Sequence, residues 1–281
     1  PGPMAEHVKG RAAELFTDLE MAQRMPAFAE FSRLGPCAGL AGTLMKAEQC
    51  CFLYDQAFST TSNTVAAGQL ARHEGEEGAE EEEGSGNDGD GRLPASPSTP
   101  WHQDQPYWQV AGSQVASVWL PLDTPPAGSE LLFIAGSHRW QEHSPFHFAS
   151  GAAYKGTEMP ALPDIDAGVI DGTIHLLKWD DVRPGDALVF SAMTVHGQAR
   201  AVPGGRTRQP LSSFSRLATR FTGDDARYVL RRGEARDVVP SRHFPCSLSP
   251  GDEMECSRFP KVWQRGDKSD PRAGQPGSSR L

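Results

Sequence analysis

Residues 101–104 of this chain have the sequence Trp101-His102-Gln103-Asp104. Residues two apart on a β-strand project from the same face, so this spacing predicts that the His102 and Asp104 side chains converge on one point. An imidazole nitrogen and a carboxylate oxygen suit divalent iron, and a second histidine would complete a facial triad with three coordination positions left open. The segment therefore predicts two of the three protein ligands of a mononuclear metal site.

The third ligand has to come from a distant strand, and two histidines compete for the role. His196 follows the tight turn Arg183-Pro-Gly-Asp186 and an apolar strand that leads it towards the interior. His138 lies in residues 136–140, just past the end of a predicted strand, where a turn is expected. We therefore predict His196 as the third ligand.

The segment from residue 100 to residue 217 has a β-like pattern of short apolar or alternating runs, punctuated by Gly, Pro, Asp and Ser. Short strands at such intervals suggest a sandwich or a barrel rather than a parallel sheet with crossover helices. The predicted strands are residues 115–122, 131–135, 174–179, 187–191 and 211–217, with residues 51–54 as the best strand candidate upstream.

The N-terminal residues 4–25 show a different pattern, in which apolar residues recur at spacings of three and four. This period predicts a helix with one buried stripe. The stripe consists of Val8, Ala12, Leu15, Phe16 and Leu19.

Two arginines downstream of His196 are candidates for binding an anion. Arg208 enters the next predicted strand after the turn at residues 203–205. A guanidinium at this position could hold the remote carboxylate of a dicarboxylic cosubstrate through two parallel hydrogen bonds. Arg206 lies two residues away and is the alternative.

The formal net charge of −9 belongs to one segment. Nine of the 36 acidic residues lie between Glu74 and Asp90, and the other 27 are matched by 27 Lys and Arg. A neutral body lacks the clustered basic charge that nucleic-acid binding requires, so we expect no nucleic-acid partner. Residues 66–98 are rich in Gly, Glu, Ser, Asp and Pro, and are predicted to be a disordered acidic insertion.

The remaining composition is typical of a soluble intracellular protein. The five cysteines show no C-x-x-C spacing, which favours reduced thiols, and no apolar run is long enough to span a membrane. We predict a cytoplasmic location. Residues 264–281 are predicted to be a flexible tail, and their end, Ser279-Arg280-Leu281, resembles a peroxisomal address if the source is eukaryotic.

Taken together, these segments resemble the phytanoyl-CoA dioxygenase (PhyH) family of iron(II)- and 2-oxoglutarate-dependent oxygenases. Their order and spacing match the family, and the combination is far more specific than any single piece. The resemblance is carried by residues 99–108, 118–123, 136–140, 184–190 and 196–212.

The resemblance implies a mainly β fold, with a double-stranded β-helix (jelly-roll, cupin-like) core and flanking α-helices. It implies His102 and Asp104 as the H-x-D ligands of iron and His196 as the distal ligand. Arg208 resembles the arginine that binds the distal carboxylate of 2-oxoglutarate, because the family also places a serine four residues later. Trp119 matches a tryptophan that lines the cosubstrate pocket.

The implied activity is that of a 2-oxoglutarate-dependent dioxygenase (a hydroxylase) that uses Fe(II), 2-oxoglutarate and O2 and releases succinate and CO2. The carboxylate of Asp104 favours hydroxylation over halogenation, because related halogenase sites replace it with a small residue so that chloride can bind. The expected substrate is a small molecule or lipid-like, with Tyr107 and Trp108 as candidate contacts. We expect one oxygenase domain over residues 1–263.

Two alternatives remain open from the sequence. The same jelly roll could bind a metal or a small ligand without catalysis, as a sensor or scaffold. A cupin-like site could also hold zinc or manganese and carry out no redox chemistry.

Overall fold

The structure is a computed structural model that describes residues 5–9, 13–62, 99–126, 129–148, 151–179, 181–197, 214–234 and 246–267. The predicted acidic insertion, residues 66–98, lies outside the described residues, as do Arg206 and Arg208. Residues 268–281 of the predicted tail, including Ser279-Arg280-Leu281, also lie outside them. Their roles stay predictions.

The fold is mainly β. Its strands are β1 (Glu6–Lys9), β2 (Ala13–Leu19), β3 (Gln49–Ser62), β4 (Val110–Ala111), β5 (Val115–Pro121), β6 (Leu132–Ile134), β7 (Leu176–Leu177), β8 (Leu188–Ser191), β9 (His196–Gly197), β10 (Phe214–Thr222), β11 (Arg227–Tyr228) and β12 (Lys261–Gln264). The α-helices of the described residues are α1 (Pro26–Leu34), α2 (Cys37–Met45) and α3 (Ile165–Ile170), and 3-10 turns lie at Met21–Gln23, Gln105–Tyr107 and Ser137–Arg139.

Most of the predicted strands are confirmed. The strands β5, β6, β7 and β8 lie within the four predicted ranges between residues 115 and 191, and residues 51–54 form part of the longer strand β3. The strand predicted at residues 211–217 is described from Phe214 and continues to Thr222 as β10. Residues 211–213 lie outside the described residues.

The helix predicted over residues 4–25 is wrong, because residues 6–9 form strand β1 and residues 13–19 form strand β2. Leu15 and Leu19 are four residues apart, and this spacing places two residues on one face of a strand as well as on one face of a helix. The long strand β3 offers a free edge, and β2 pairs with it from Ala13 to Leu19. Backbone pairing with this edge therefore overrides the local helical pattern.

The larger sheet has the order β1-β2-β3-β10-β5-β8, and β12 also pairs with β3. Strand β10 lies in its centre and is antiparallel to both β3 and β5 along its length. Since a central strand pairs on both edges and is covered on both faces, it is almost entirely buried. Every side chain on one face of β10 consequently points into the interior between the sheets.

The smaller sheet has the order β7-β6-β9, and a single antiparallel bridge joins His196 of β9 to His102. Strands β3, β5, β8 and β10 lie in the larger sheet, whereas β6, β7, β9 and the His102 segment lie in the smaller one. This alternation of sequential segments between two sheets is that of a jelly roll. The predicted double-stranded β-helix with flanking helices is thus confirmed.

The helices cover the outer faces of the two sheets. Helix α2 presents Cys37, Ala38 and Ala41 to Phe52 and Phe221 of the larger sheet. Ile165 of α3 packs on Ile134 and Val195 of the smaller sheet. None of the helices in the described part of the chain is long and apolar enough to cross a membrane.

We predict that Gly42→Ala destabilises the protein relative to Gly39→Ala, its matched control on the same helix. Both changes add helix propensity. However, a Cβ at Gly42 would overlap the Trp263 ring and lie 2.9 Å from Cys50 Sγ, whereas one at Gly39 would lie 3.2 Å from Trp263 Nε1. Urea unfolding should show Gly42→Ala to be less stable by about 1–3 kcal/mol. Equal stability of the two variants would contradict the tight packing of α2 on β12.

Candidate metal centre

The backbone around the candidate site is held by the bridge between His102 and His196. The His102 N–H donates to the His196 carbonyl at 3.0 Å, and the His196 N–H donates to the His102 carbonyl at 2.9 Å. Directly opposed residues of an antiparallel pair place their side chains on the same side. The bridge therefore brings together two imidazoles that lie 94 residues apart in the sequence.

Residues 101–104 do not form the strand that was predicted, and Asp104 reaches the site from a turn instead. His102 has only the single bridge, and Asp104 has φ −74° and ψ −45° as it leads into the turn Gln105–Tyr107. The N–H groups of Asp104 and Gln105 both donate to the Ala192 carbonyl, at 2.9 and 3.0 Å. This turn, rather than strand alternation, directs the carboxylate towards the imidazoles.

Three potential ligand atoms converge at this point. Asp104 Oδ1 lies 3.5 Å from His102 Nε2 and 3.8 Å from His196 Nε2. The group could hold a metal ion, since its ligand atoms all lie within 4.8 Å of one another and all three residues are buried. The structure thus brings together the three residues that were predicted as ligands. His138 lies apart from them, exposed, in the predicted turn Ser137–Arg139.

Hydrogen bonds fix the chemical form of each group. Nδ1 of His102 lies 2.9 Å from the Pro100 carbonyl, and Nδ1 of His196 lies 2.9 Å from the Thr194 carbonyl. A carbonyl can only accept, so each Nδ1 carries a proton, and in the neutral form of each imidazole the lone pair is at Nε2. Asp104 Oδ2 accepts from Ser117 Oγ at 2.8 Å, which leaves Oδ1 directed at the two Nε2 atoms.

Burial and charge favour a neutral His196 and an ionised Asp104. Burial, together with the nearby His102, lowers the pKa of His196 to about 4. Burial alone would raise the pKa of Asp104, but His196, His102 and Arg220 outweigh it and hold that pKa well below its usual range. Neutral imidazoles and an ionised carboxylate are the forms that bind a divalent metal, so this donor set fits one.

Arg220 is a buried residue near the site that the sequence analysis missed. Its guanidinium carbon lies 4.5 Å from the centre of the Tyr54 ring and 5.7 Å from that of Trp108. Nη2 donates to Gln56 Oε1 at 3.1 Å. Arg220 lies directly opposite Ser117, whose hydroxyl donates a hydrogen bond to Asp104. The guanidinium of Arg220 therefore lies on the interior face of β10, on the same side as the Asp104 carboxylate.

Arg216 is a second buried arginine that was missed, four residues earlier on the same face of β10. It donates to Thr60 Oγ1 at 3.1 Å and lies against the Phe58 and Phe214 rings. Burial lowers its pKa to about 10. Within the described ranges, no carboxylate lies at salt-bridge distance from it, although buried arginines are normally paired. The sequence does not show which side chains of β10 point to the interior between the sheets, because both faces of this strand are buried. Arg216 therefore could not be recognised from the sequence as an interior residue.

The other predicted site residues have distinct surroundings. Trp119 is buried between the sheets, and its ring centre lies 6.0 Å from that of Phe214. Tyr107 lies 6.0 Å from the His102 ring centre and donates its hydroxyl to the Phe146 carbonyl at 3.0 Å. Trp108 is only 2% exposed and packs in the core against Tyr54.

Part of this chain matches a known protein family. Residues 92–209 match the model of the phytanoyl-CoA dioxygenase (PhyH) family. The matched residues include His102, Asp104, His196 and Trp119. A comparison with curated protein sequences gives no significant match.

Solved structures share the fold of this chain. The non-heme alpha ketoglutarate dependent epimerase SnoN from nogalamycin biosynthesis aligns with a TM-score of 0.57 and 15% identity, over 92% of this chain and 83% of SnoN. The carbocyclase SnoK from the same biosynthesis aligns with a TM-score of 0.55 and 18% identity, over 92% of this chain and 81% of SnoK. At these identities the likeness shows the shared fold.

We predict that Ser117→Ala weakens metal binding, because Asp104 loses the hydrogen bond that orients its carboxylate. Removing such a supporting group typically lowers metal affinity roughly ten- to a hundredfold. The affinity can be measured by competition between the protein and a chromogenic chelator for Fe(II) under anaerobic conditions. Thr219→Val is the control, since Thr219 is equally buried in the neighbouring strand and its hydroxyl has no hydrogen-bond partner among the described residues. Unchanged affinity in Ser117→Ala would contradict this role.

Proposed function

We propose that this protein is an iron(II)- and 2-oxoglutarate-dependent dioxygenase that hydroxylates a C–H bond of a small-molecule or lipid-like substrate. The observation that carries this proposal is the convergence of His102 Nε2, His196 Nε2 and Asp104 Oδ1, with both Nδ1 atoms bound to backbone carbonyls. Two imidazoles and one carboxylate form the donor set of a facial triad with open positions. A closed structural zinc site would instead need a fourth protein ligand.

In this proposal, His102, Asp104 and His196 hold Fe(II). When iron and 2-oxoglutarate are bound, they supply the activation of O2 that hydroxylates the substrate and yields succinate and CO2. The protein holds the ligands in place and keeps water from the site. Phe190 lies 4.7 Å and Phe133 6.1 Å, ring centre to ring centre, from His196, so one side of the imidazole is enclosed by aromatic carbon. The retained carboxylate of Asp104 supports hydroxylation rather than halogenation.

The distal carboxylate of 2-oxoglutarate needs a cationic partner inside the jelly roll. The resemblance to the PhyH family supports Arg208 for this role, with Trp119 lining the cosubstrate pocket, and Arg206 is the neighbouring alternative. The described geometry supports a further candidate, Arg216, because its buried guanidinium has no carboxylate partner among the described residues. Arg216 also lies on the interior face that carries Trp119.

We further propose that residues 1–263 form one oxygenase domain. Strand β12 lies at the end of this range, and it pairs with the first residues of β3. Arg258 also forms a buried ion pair with Glu20. These contacts join both ends of the range to one sheet.

The substrate contacts proposed from sequence are Tyr107 and Trp108. Tyr107 lies against His102 and is therefore well placed beside the reacting centre. Trp108 lies deeper in the core. The structure of SnoN with Fe3+, alpha ketoglutarate and nogalamycin RO is an example of this fold with a small-molecule ligand.

We predict that the protein converts 2-oxoglutarate to succinate in the presence of Fe(II) and O2, and that His196→Ala abolishes this conversion. Loss of one of three protein ligands leaves an incomplete site, so turnover should fall at least about a hundredfold. Succinate can be measured by a coupled assay, with His138→Ala as the matched histidine control. Equal succinate release by wild type and His196→Ala would indicate a non-catalytic jelly roll. Zinc or manganese instead of iron in a metal analysis of anaerobically purified protein, together with no succinate release, would indicate the non-redox alternative.

We predict that removal of the carboxylate-binding arginine raises the KM for 2-oxoglutarate and leaves metal affinity unchanged. Loss of a buried charge-assisted pair corresponds to about 2–4 kcal/mol, or a KM increase of roughly thirty- to a thousandfold. Arg208→Ala, Arg206→Ala and Arg216→Ala should be compared by steady-state kinetics. The largest increase in Arg208→Ala would support the family-based assignment, and the largest increase in Arg216→Ala would transfer the role to the buried arginine. An increase in Arg206→Ala alone would contradict both assignments.

A further inference from the structure

Asp104 differs from the two histidines in how the backbone supports it. His102 and His196 share an antiparallel bridge, whereas Asp104 lies at the start of a turn with helical φ and ψ. Its N–H donates to the Ala192 carbonyl, and its carboxylate accepts from Ser117. A turn has no strand ladder to hold it, so its conformation depends on hydrogen bonds from other parts of the chain. The residues on either side of Asp104 supply such bonds.

Gln105, the residue after Asp104, is held by an ion pair between Arg231 and Glu142. Arg231 Nη1 lies 2.5 Å from Glu142 Oε2, and Nη2 lies 2.7 Å from Oε1. Nη2 also donates to the Gln105 carbonyl at 3.2 Å. The side-chain amide of Gln105 in turn donates to Glu142 Oε1 at 3.0 Å. The cation therefore binds the main chain of Gln105, and the anion binds its side chain.

The same guanidinium fixes the segment that follows the turn. Arg231 Nε donates to the Trp108 carbonyl and Nη2 to the Val110 carbonyl, both at 2.9 Å. The backbone N–H of Arg231 donates to Gln109 Oε1 at 2.6 Å. An arginine can bind several acceptors at once because its five N–H groups form a rigid planar fork. Three carbonyls between residues 105 and 110 thus converge on one side chain.

Gln103, the residue before Asp104, is held by the two sequence neighbours of Glu142. Gln103 Nε2 donates to the Gln141 carbonyl at 3.1 Å, and Gln103 Oε1 accepts from the His143 N–H at 2.9 Å. Gln103 is only 2% exposed, so water does not compete for these bonds. Whatever fixes Glu142 therefore also fixes the backbone groups that bind Gln103.

The ion pair is well suited to this role because it is charged and largely removed from solvent. The side chain of Arg231 is 11% exposed and that of Glu142 is 24% exposed. Burial alone would raise the pKa of Glu142, but Arg231 and Gln105 outweigh it and lower that pKa. A bidentate, charge-assisted pair is among the strongest hydrogen-bonded contacts, and its planar geometry orients both partners.

We propose that Arg231 and Glu142 are positioning residues of the metal centre, and that they clamp both sequence neighbours of Asp104. The pair holds Gln105 directly and Gln103 through residues 141 and 143. With both neighbours fixed, the Asp104 carboxylate stays directed at the two imidazoles. This inference rests on the proposed function, which supplies the metal.

The test compares two buried ion pairs of the same kind. Glu142→Gln removes the negative charge of the clamp and keeps the shape of the side chain. Glu20→Gln is the matched control, because it does the same to the buried Arg258–Glu20 pair, which joins the end of β2 to the segment before β12. Co(II) is the probe, since its d–d absorption band depends on the number and arrangement of its ligands. Titration gives the affinity, and thermal unfolding gives the overall stability.

We expect Glu142→Gln to bind Co(II) roughly ten- to a hundredfold more weakly and with an altered d–d band. Glu20→Gln should keep the wild-type affinity and band, although both variants lose thermal stability. Arg231→Lys keeps the charge but lacks the fork that binds three carbonyls, so it should also weaken Co(II) binding. It decides the question if Glu142→Gln does not fold.

Two results of the titration would overturn the proposal. One is wild-type Co(II) affinity in Glu142→Gln, or in Arg231→Lys where that variant stands in for it. The other is an equal loss of affinity in Glu20→Gln, because the effect would then reflect general stability rather than positioning.

Hydrogen exchange of the metal-free proteins separates this proposal from the proposed function. A peptide containing residues 103–108 should exchange at least about tenfold faster in Glu142→Gln than in wild type or Glu20→Gln. If wild type binds Co(II) but releases no succinate with Fe(II), the dioxygenase proposal fails and the Co(II) titration still decides the role of the clamp. If wild type binds no metal, the proposed function fails, and equal exchange in the three proteins would overturn the clamp as well.

Discussion

The antiparallel bridge between His102 and His196 is the contact on which the rest of the site depends. It holds two segments that are far apart in the sequence at hydrogen-bonding distance, and it sets both imidazoles on one side of the smaller sheet. The carbonyls of Pro100 and Thr194 then fix the tautomers, and the turn after His102 adds the carboxylate. The backbone itself therefore positions the three side chains.

The sequence predicted the components of this site well because their signals are local. An H-x-D segment, a tight turn before an apolar strand and a histidine beyond it can each be seen within a few residues. The route by which Asp104 reaches the site was predicted incorrectly, since its turn depends on hydrogen bonds to Ala192, which is distant in sequence. The N-terminal strands were missed for a similar reason. Their conformation depends on the free edge of β3, and no local pattern encodes that edge.

The interior arginines show a second limit of sequence reasoning. Arg216 and Arg220 belong to a strand whose two faces are both buried, so the pattern of β10 gives no indication of which residues face the metal-ligand group. Only the register against β5 places Arg220 opposite Ser117 and Arg216 beyond Trp119. A charged residue in such a strand is still informative, because burial of an arginine is unfavourable without a partner or a ligand. Arg216 and Arg220 thus place two guanidinium groups inside the jelly roll.

The central position of β10 also affects how the chain is synthesised. Strands β3 and β5 leave the ribosome long before residues 214–222, which later separate them in the sheet. Until then, both strands have an unpaired edge with an apolar face, and such edges promote association with other nascent chains. The emerging polypeptide should therefore need protection by chaperones through most of its translation, and truncation before β10 should yield insoluble protein rather than a smaller folded one.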